Sequence, residues 1–188
     1  MIALYVIIGV VALFLISVVV MYNRFVQQRT LVDESWGQID VELTRRHDLI
    51  PNLVKTVQGY AEHERTVLEQ LTTAREQAAA HKDGSPAERG PLEDAVGNAV
   101  GTVLARAEAY PDLKASANFL QLQKELTDTE DRIAAARRFY NGNVRALNTR
   151  ISTFPSNIVA STFHFTARDF FEQTDPAARA VPDVGFSA

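Results

Sequence analysis

Residues 119–151 read FLQLQKELTDTEDRIAAARRFYNGNVRALNTRI and carry the most regular apolar pattern in the chain. Steps of three and four residues separate its stripe-forming side chains, which predicts one long helix with a near-heptad seam. The seam comprises Phe119, Leu122, Leu126, Thr129, Ile133, Ala136, Tyr140, Val144, Leu147 and Ile151. Such a seam packs either inside its own bundle or against another chain. The other segments also need partners for their stripes, which favours the first alternative.

A second apolar stripe precedes that helix and predicts another long helix over residues 32–78. Its members are Val32, Trp36, Ile39, Leu43, Ile50, Leu53, Val57, Tyr60, Val67, Leu71, Ala74 and Ala78. The stretch AAHKDGSPAERGP at 79–91 breaks the pattern, and a further helical run from Leu92 to Tyr110 stops at Pro111. The expected fold is therefore all-α, with about four helical segments in an up-and-down antiparallel bundle.

Pro51 lies inside the second stripe, in RRHDLIPNLV at residues 45–54. A proline in a helix interior costs about 3 kcal/mol, since it cannot donate its backbone N–H and its ring crowds the preceding turn. The apolar phase nevertheless continues across it, which favours a kinked, continuous helix. The alternative is a new helix capped by Asp48, with Pro51 in its first turn.

The same stretch does not indicate catalysis. His47 and Asp48 are sequence neighbours, which do not face each other on a helix, and no histidine has a ligand at i+4. Glu42 and Arg46 are expected to form an ordinary surface ion pair. We predict no enzyme activity, no catalytic or metal site and no cofactor. The chain has no cysteine, and its net charge of −4 argues against nucleic-acid binding.

Residues 2–22 form a charge-free run, from Ile2 to Tyr22. As a helix the run is about 31 Å long, which matches the hydrocarbon core of a bilayer. A cleaved signal peptide would need a basic start and a small-residue cleavage site, and both are missing here. We therefore predict an uncleaved span. Arg24 and Arg29 follow it, which favours an outside N-terminus and a cytoplasmic body.

Aromatic residues mark the end of the chain. Phe163, Phe165, Phe170 and Phe171 are candidate interaction residues. Thr166-Ala167-Arg168-Asp169 has the outline of a capping box and predicts a short helix that carries Phe170 and Phe171. The expected domains are a transmembrane helix at 1–23, a helical bundle with an aromatic C-terminal segment at 24–172, and a disordered tail at 173–188.

Two motifs resemble those of a known family. Residues 22–64, YNRFVQQRTLVDESWGQIDVELTRRHDLIPNLVKTVQGYAEHE, are similar to the N-terminal signature of the LemA family. Residues 110–165, YPDLKASANFLQLQKELTDTEDRIAAARRFYNGNVRALNTRISTFPSNIVASTFHF, are similar to its C-terminal signature. The resemblance implies a bacterial inner-membrane protein with one N-terminal span, an outside N-terminus and a cytoplasmic helical bundle. It supplies no catalytic residues, and some relatives are linked to the organisation of specialised membranes.

Two functions are consistent with these observations. The first is a non-enzymatic, membrane-anchored scaffold or adaptor that self-associates or presents its bundle to other membrane proteins. Its candidate interaction residues are Trp36, Phe119, Leu126, Ile133 and Tyr140. The second is a membrane-remodelling or sensing module whose phenylalanine-rich C-terminal segment contacts the bilayer or a ligand. In both cases residues 2–22 provide contact with the lipid bilayer.

Overall fold

A computed structural model describes residues 1–60 and 64–171. These residues form helices and connecting turns and contain no β-strand, which confirms the all-α fold. Within them six helices follow one another along the chain. They are α1 (Ile2–Gln58), α2 (Arg65–Ala80), α3 (Pro86–Ala107), α4 (Pro111–Lys114), α5 (Ala117–Ser152) and α6 (Ser156–Thr162). The described residues divide into two compact units, one formed by residues 1–46 with 126–170 and the other by residues 47–60 and 64–125 with Phe171.

In the first unit, α1 and the C-terminal part of α5 pack side by side in opposite directions. Gln28 Nε2 donates to the carbonyl oxygen of Asn143 at 3.2 Å. Later along α1 and earlier along α5, Arg46 Nη1 lies 2.9 Å from Glu130 Oε1. Their apolar stripes meet and exclude water, which is the main favourable term in such a pairing. The buried core residues are Phe25, Val32, Ile39 and Leu43 from α1 and Leu126, Ile133, Tyr140, Val144 and Leu147 from α5.

In the second unit, α2 packs on α3 and on the end of α1. The helix α3 begins at a capping box, in which Ser85 Oγ accepts from the backbone N–H of Glu88 and the Glu88 carboxylate accepts from the backbone N–H of Ser85. These hydrogen bonds, above all the one from the Ser85 backbone, lower the pKa of Glu88 below its ordinary value. Tyr110 donates from its hydroxyl group to Glu64 Oε1 at 3.1 Å.

The prediction of one helix over residues 32–78 was wrong. α1 ends at Gln58, just before Gly59, and α2 begins at Arg65. The second helix runs back along the first, since Arg75 Nε donates to the carbonyl oxygen of His47 at 2.9 Å. Glycine is a poor helix former, which favours the end of α1 at this point. Once the chain turns, α1 and α2 can bury their apolar stripes against each other. Tyr60, which the stripe placed in the core, is half exposed.

The two prolines within predicted helices have different outcomes. α1 continues through Pro51, so the alternative of a new helix capped by Asp48 was wrong. The kink at Pro51 stays a prediction. Pro111 lies in the first turn of α4, where its missing N–H group is tolerated, and α3 has already ended at Ala107.

The prediction of a short helix from Thr166 was also wrong, because residues 165–171 are not helical and α6 lies earlier in the chain. Tertiary hydrogen bonds compete with the local capping pattern. Asn148 binds both the N–H and the carbonyl group of Arg168, each at 2.9 Å, and Tyr140 donates to the carbonyl oxygen of Asp169 at 2.8 Å. The predicted disordered tail, 173–188, lies outside the described residues.

Candidate functional site

Two of the RRHD residues at 45–48, Arg46 and His47, form ion pairs between helices, whereas Arg45 and Asp48 are exposed. Arg46 is only 1% exposed and is held by Glu130 of α5, so the expected surface position of Arg46 was wrong. Within the second unit, His47 Nε2 lies 3.1 Å from Glu93 Oε2, and the Glu93 carboxylate is buried. Arg89, one turn earlier on α3, lies 3.8 Å from the other oxygen of Glu93. Buried charges need such partners, so these networks fix the positions of helices.

In the part of the chain that the structure describes, no three His, Cys, Asp or Glu residues cluster as metal ligands would. One concave surface in the first unit is mainly apolar.

This surface is an open groove between α1 and α5, with a volume of about 470 Å³. We call it the α1–α5 groove, and its lining residues are Gln38, Val41, Glu42, Arg132, Ala135, Ala136 and Phe139. Val41 is 66% exposed and Phe139 is 52% exposed, although both are large apolar residues. Glu42 Oε1 and Arg132 Nη1 lie 3.7 Å apart within it.

Most of the sequence-predicted interaction residues of the seam face the core of the chain itself. Phe119, Leu126, Ile133 and Tyr140 are buried, in keeping with the alternative that the seam packs internally. Trp36 is half-buried, and its ring centroid lies 5.4 Å from that of Tyr140. Burial raises the pKa of the Tyr140 hydroxyl to about 12, although nearby Arg168 acts in the opposite direction.

The aromatic residues after α6 contact α1 near the end of the charge-free run. The Phe163 ring lies edge-on to Tyr22 at 5.0 Å between centroids, and the Phe165 ring stacks on Phe25 at 4.8 Å. The Arg29 guanidinium lies 5.9 Å from the centroid of the Phe165 ring. Farther along the chain, Phe170 is half-buried and Phe171 is buried.

Sequence reasoning missed the two exposed apolar residues of the groove. Val41 and Phe139 are each one or two positions away from the stripe of their helix, so a search for periodicity passes over them. The available signal was an apolar residue on a predicted polar face. The contact of Asp33 with Arg168, at 2.7 Å, was also missed, since the residues are far apart in sequence.

The N-terminal part of α1 differs from the rest of the helix. Residues 1–16 are exposed throughout, and a window of this segment has a mean hydropathy of 3.0. The helix is thus long and apolar enough there to cross a membrane.

A family model described as the LemA family matches residues 35–186. The chain belongs to the LemA family. Magnetosome protein MamQ 1 of Paramagnetospirillum magneticum is 24% identical over 187 residues, which cover 87% of this chain and 69% of that relative. Magnetosome protein MamQ of Magnetospirillum gryphiswaldense is 23% identical over 184 residues, which cover 85% and 68%.

Protein LemA of Metamycoplasma hominis is 28% identical over 138 residues, which cover 73% of this chain and 63% of that relative. Membership of the LemA family and the apolar start of α1 both indicate that the protein is membrane-associated.

Proposed function

We propose that this LemA-family protein is a non-enzymatic, membrane-anchored scaffold that self-associates through the α1–α5 groove. The observation that carries the proposal is the exposure of Val41 and Phe139 on the walls of one groove. Large apolar side chains that share a concave surface are typical of interaction sites, whereas isolated ones are common on any protein. The α1 helix links this groove to the apolar N-terminal segment without a break.

The groove has the chemistry to receive a second copy of itself. A two-fold interface joins the same patch of both subunits, so that patch must be self-complementary. Here the floor is apolar, and Glu42 and Arg132 supply one charge of each sign. In a two-fold pair, the exposed Arg132 of one copy can approach Glu42 of the other while Val41 and Phe139 lose water. Other membrane proteins are the second class of partner for the same groove.

The proposed location is the bacterial inner membrane, with residues 2–22 as a single span. Arg24 and Arg29 directly follow the span, and this supports a cytoplasmic body through the positive-inside rule. Cysteine placed at exposed Leu120 tests the orientation in intact cells. A membrane-impermeant maleimide should label it only after lysis, and labelling of intact cells would reverse the proposed topology.

The absence of native cysteine allows a direct test of the groove. Val41→Cys or Phe139→Cys would be introduced into the full-length chain in cell membranes and treated with a short bis-maleimide. We expect a covalent dimer of twice the 20.8 kDa chain mass. Leu120→Cys is the control, because Leu120 is similarly exposed but does not line the groove. Equal yields at all three positions would contradict self-association at the groove, and adducts of other masses would indicate other membrane proteins.

A membrane-remodelling or sensing module is the second candidate function. The contact of Phe163 with Tyr22 favours it, because that contact joins the aromatic segment to the last residue of the charge-free run.

A further inference from the structure

Residues 151–167 form the longest charge-free stretch of the chain after the proposed span. Arg150 and Arg168 flank them, and no Asp, Glu, Lys or Arg lies between. We call these residues the juxtamembrane segment; they include α6. Three of the segment's large apolar side chains are exposed: Phe154 at 75%, Ile158 at 57%, and about half of Phe163. A surface of this composition in contact with water would be unfavourable.

The fold sets this segment beside the end of the proposed span. α1 and α5 run antiparallel, with Gln28 opposite Asn143. Tyr22 lies six residues before Gln28 on α1, and Thr149 lies six residues after Asn143 on α5. Because the helices are antiparallel, both residues lie about 9 Å from the Gln28–Asn143 contact in the same direction along the helix pair. α5 ends at Ser152, shortly beyond that level. The Phe163 ring lies 5.0 Å from the Tyr22 ring, which independently places the juxtamembrane segment beside Tyr22.

Burial along α1 agrees with this placement. Residues 1–16 are exposed throughout, but Val18 and Met21 are half-buried, although both belong to the charge-free run. They share a helix face with Tyr22 and Phe25, the residues that contact Phe163 and Phe165. Part of the first unit thus covers the last turns of the run that would lie in the bilayer.

The end of α6 directs the chain back onto α1. His164 has a left-handed φ of 57°, the N–H of Phe165 donates to Ala160 O at 2.9 Å, and the N–H of His164 lies 3.4 Å from Ser161 O. This is the Schellman arrangement of a helix C-terminus. It turns Phe165 onto Phe25, while Ile158 of α6 stays exposed.

From these observations we infer that the juxtamembrane segment is a second lipid-binding site, in which Phe154, Ile158 and Phe163 enter the bilayer interface beside Tyr22. The ligand of this site is the lipid bilayer, at the boundary between headgroups and acyl chains, where aromatic residues are favoured. Arg24 and Arg29, both exposed, lie about half a turn and two turns beyond Tyr22, toward the level expected for phosphate groups. The inference rests on the membrane anchor of the proposed function and not on the α1–α5 groove.

Depth-dependent fluorescence quenching tests this site in the full-length chain. An environment-sensitive maleimide dye would be attached to Ile158→Cys or Phe154→Cys, and the protein would be placed in phosphatidylcholine nanodiscs with nitroxide-labelled lipids. We expect several-fold stronger quenching at these positions than at Leu120→Cys. Phe14→Cys, inside the proposed span, provides the reference for a membrane-embedded position.

The reference separates the two ways in which the test can fail. Strong quenching at Phe14 with quenching at Ile158 no greater than at Leu120 would overturn the lipid-binding site and leave the anchor intact. No quenching at Phe14 would overturn the anchor and the site together. As a second variant, Ile158→Asp should reduce quenching of a dye at Phe154 several-fold, and unchanged quenching would contradict the inference.

Discussion

Arg46 of α1 and Glu130 of α5 form an ion pair between residues 84 positions apart, with Arg46 Nη1 at 2.9 Å from Oε1 and 3.2 Å from Oε2. The guanidinium is almost fully buried, whereas the Glu130 side chain is 38% exposed. The pair therefore joins the two long helices of the first unit, with the arginine buried and the glutamate partly exposed to water. Arg46 lies in the interval between Leu43 and Ile50 of the apolar stripe, where the aliphatic stem of its buried side chain can continue the packing of that stripe.

Removal of the carboxylate at Glu130 should destabilise the protein more than replacement of the arginine by an apolar residue. Glu130→Ala leaves a buried positive charge with one partner fewer, at a cost of about 2–3 kcal/mol, whereas Arg46→Met should cost about 1 kcal/mol. Urea denaturation of the full-length chain in detergent, followed by circular dichroism, measures both. Lys114→Ala is the control, because its exposed pair with Glu108 lies outside the groove and should contribute less than about 0.5 kcal/mol. A greater loss for Arg46→Met than for Glu130→Ala would refute this account.

Tyr140 should make stability fall at high pH. Burial raises its pKa from 10.0 to about 12, so between these values the unfolded chain loses the phenolic proton while the folded chain retains it. The contribution is thus complete below pH 10 and disappears as the pH rises toward 12. Tyr140→Phe should weaken this decline and cost about 1 kcal/mol at neutral pH through the lost bond to Asp169. Tyr60→Phe, at an exposed position, should change neither quantity, and an unaltered pH profile in Tyr140→Phe would exclude the assignment.

Asn148 should hold the C-terminal aromatic segment in place. Its side chain binds the N–H and the carbonyl group of Arg168, so Asn148→Ala removes two hydrogen bonds at a cost of about 1–2 kcal/mol. We expect faster hydrogen exchange at residues 165–171 and little change elsewhere. Asn98→Ala, at an exposed position on α3, is the matched control. Equal exchange in the two variants would show that other contacts suffice.

The left-handed backbone at His164 should tolerate glycine and reject β-branched residues. His164→Gly relieves the strain of a side chain at positive φ, and stability should stay level or rise by up to about 1 kcal/mol. His164→Val should lose about 1–2 kcal/mol at the same position. Thermal melting of the full-length chain in detergent gives the order. Equal melting temperatures for Gly and Val would argue against a conformational constraint there.

Periodicity predicted the elements whose stripes pack within the chain. The seam of α5 was read correctly because Phe119, Leu126, Ile133 and Tyr140 repeat at helical spacing and all become core. The turn after Gln58 was not predicted, because the stripes of α1 and α2 stay nearly in phase across Gly59. The non-helical path of residues 165–171 depends on Asn148 and Tyr140, which are distant in sequence and leave no local signal.

The α1–α5 groove could not be predicted from the sequence for a different reason. Val41 and Phe139 break the polar face of their helices, but the sequence does not reveal that two such breaks meet across an antiparallel pair. Their meeting depends on the register of α1 against α5, which long-range contacts such as Arg46 with Glu130 fix. The Tyr22–Phe163 contact depends on the same register, and neither relationship could be obtained from periodicity alone.

The mass of the full-length protein in nanodiscs tests the central claim most directly. A self-associating scaffold predicts a discrete oligomer for the natural chain and a monomer near 20.8 kDa for Val41→Asp with Phe139→Asp. Leu120→Asp should retain the oligomer, since Leu120 lies outside the groove. A monomer for the natural chain at every concentration, or an oligomer that survives both groove substitutions, would contradict self-association through the α1–α5 groove.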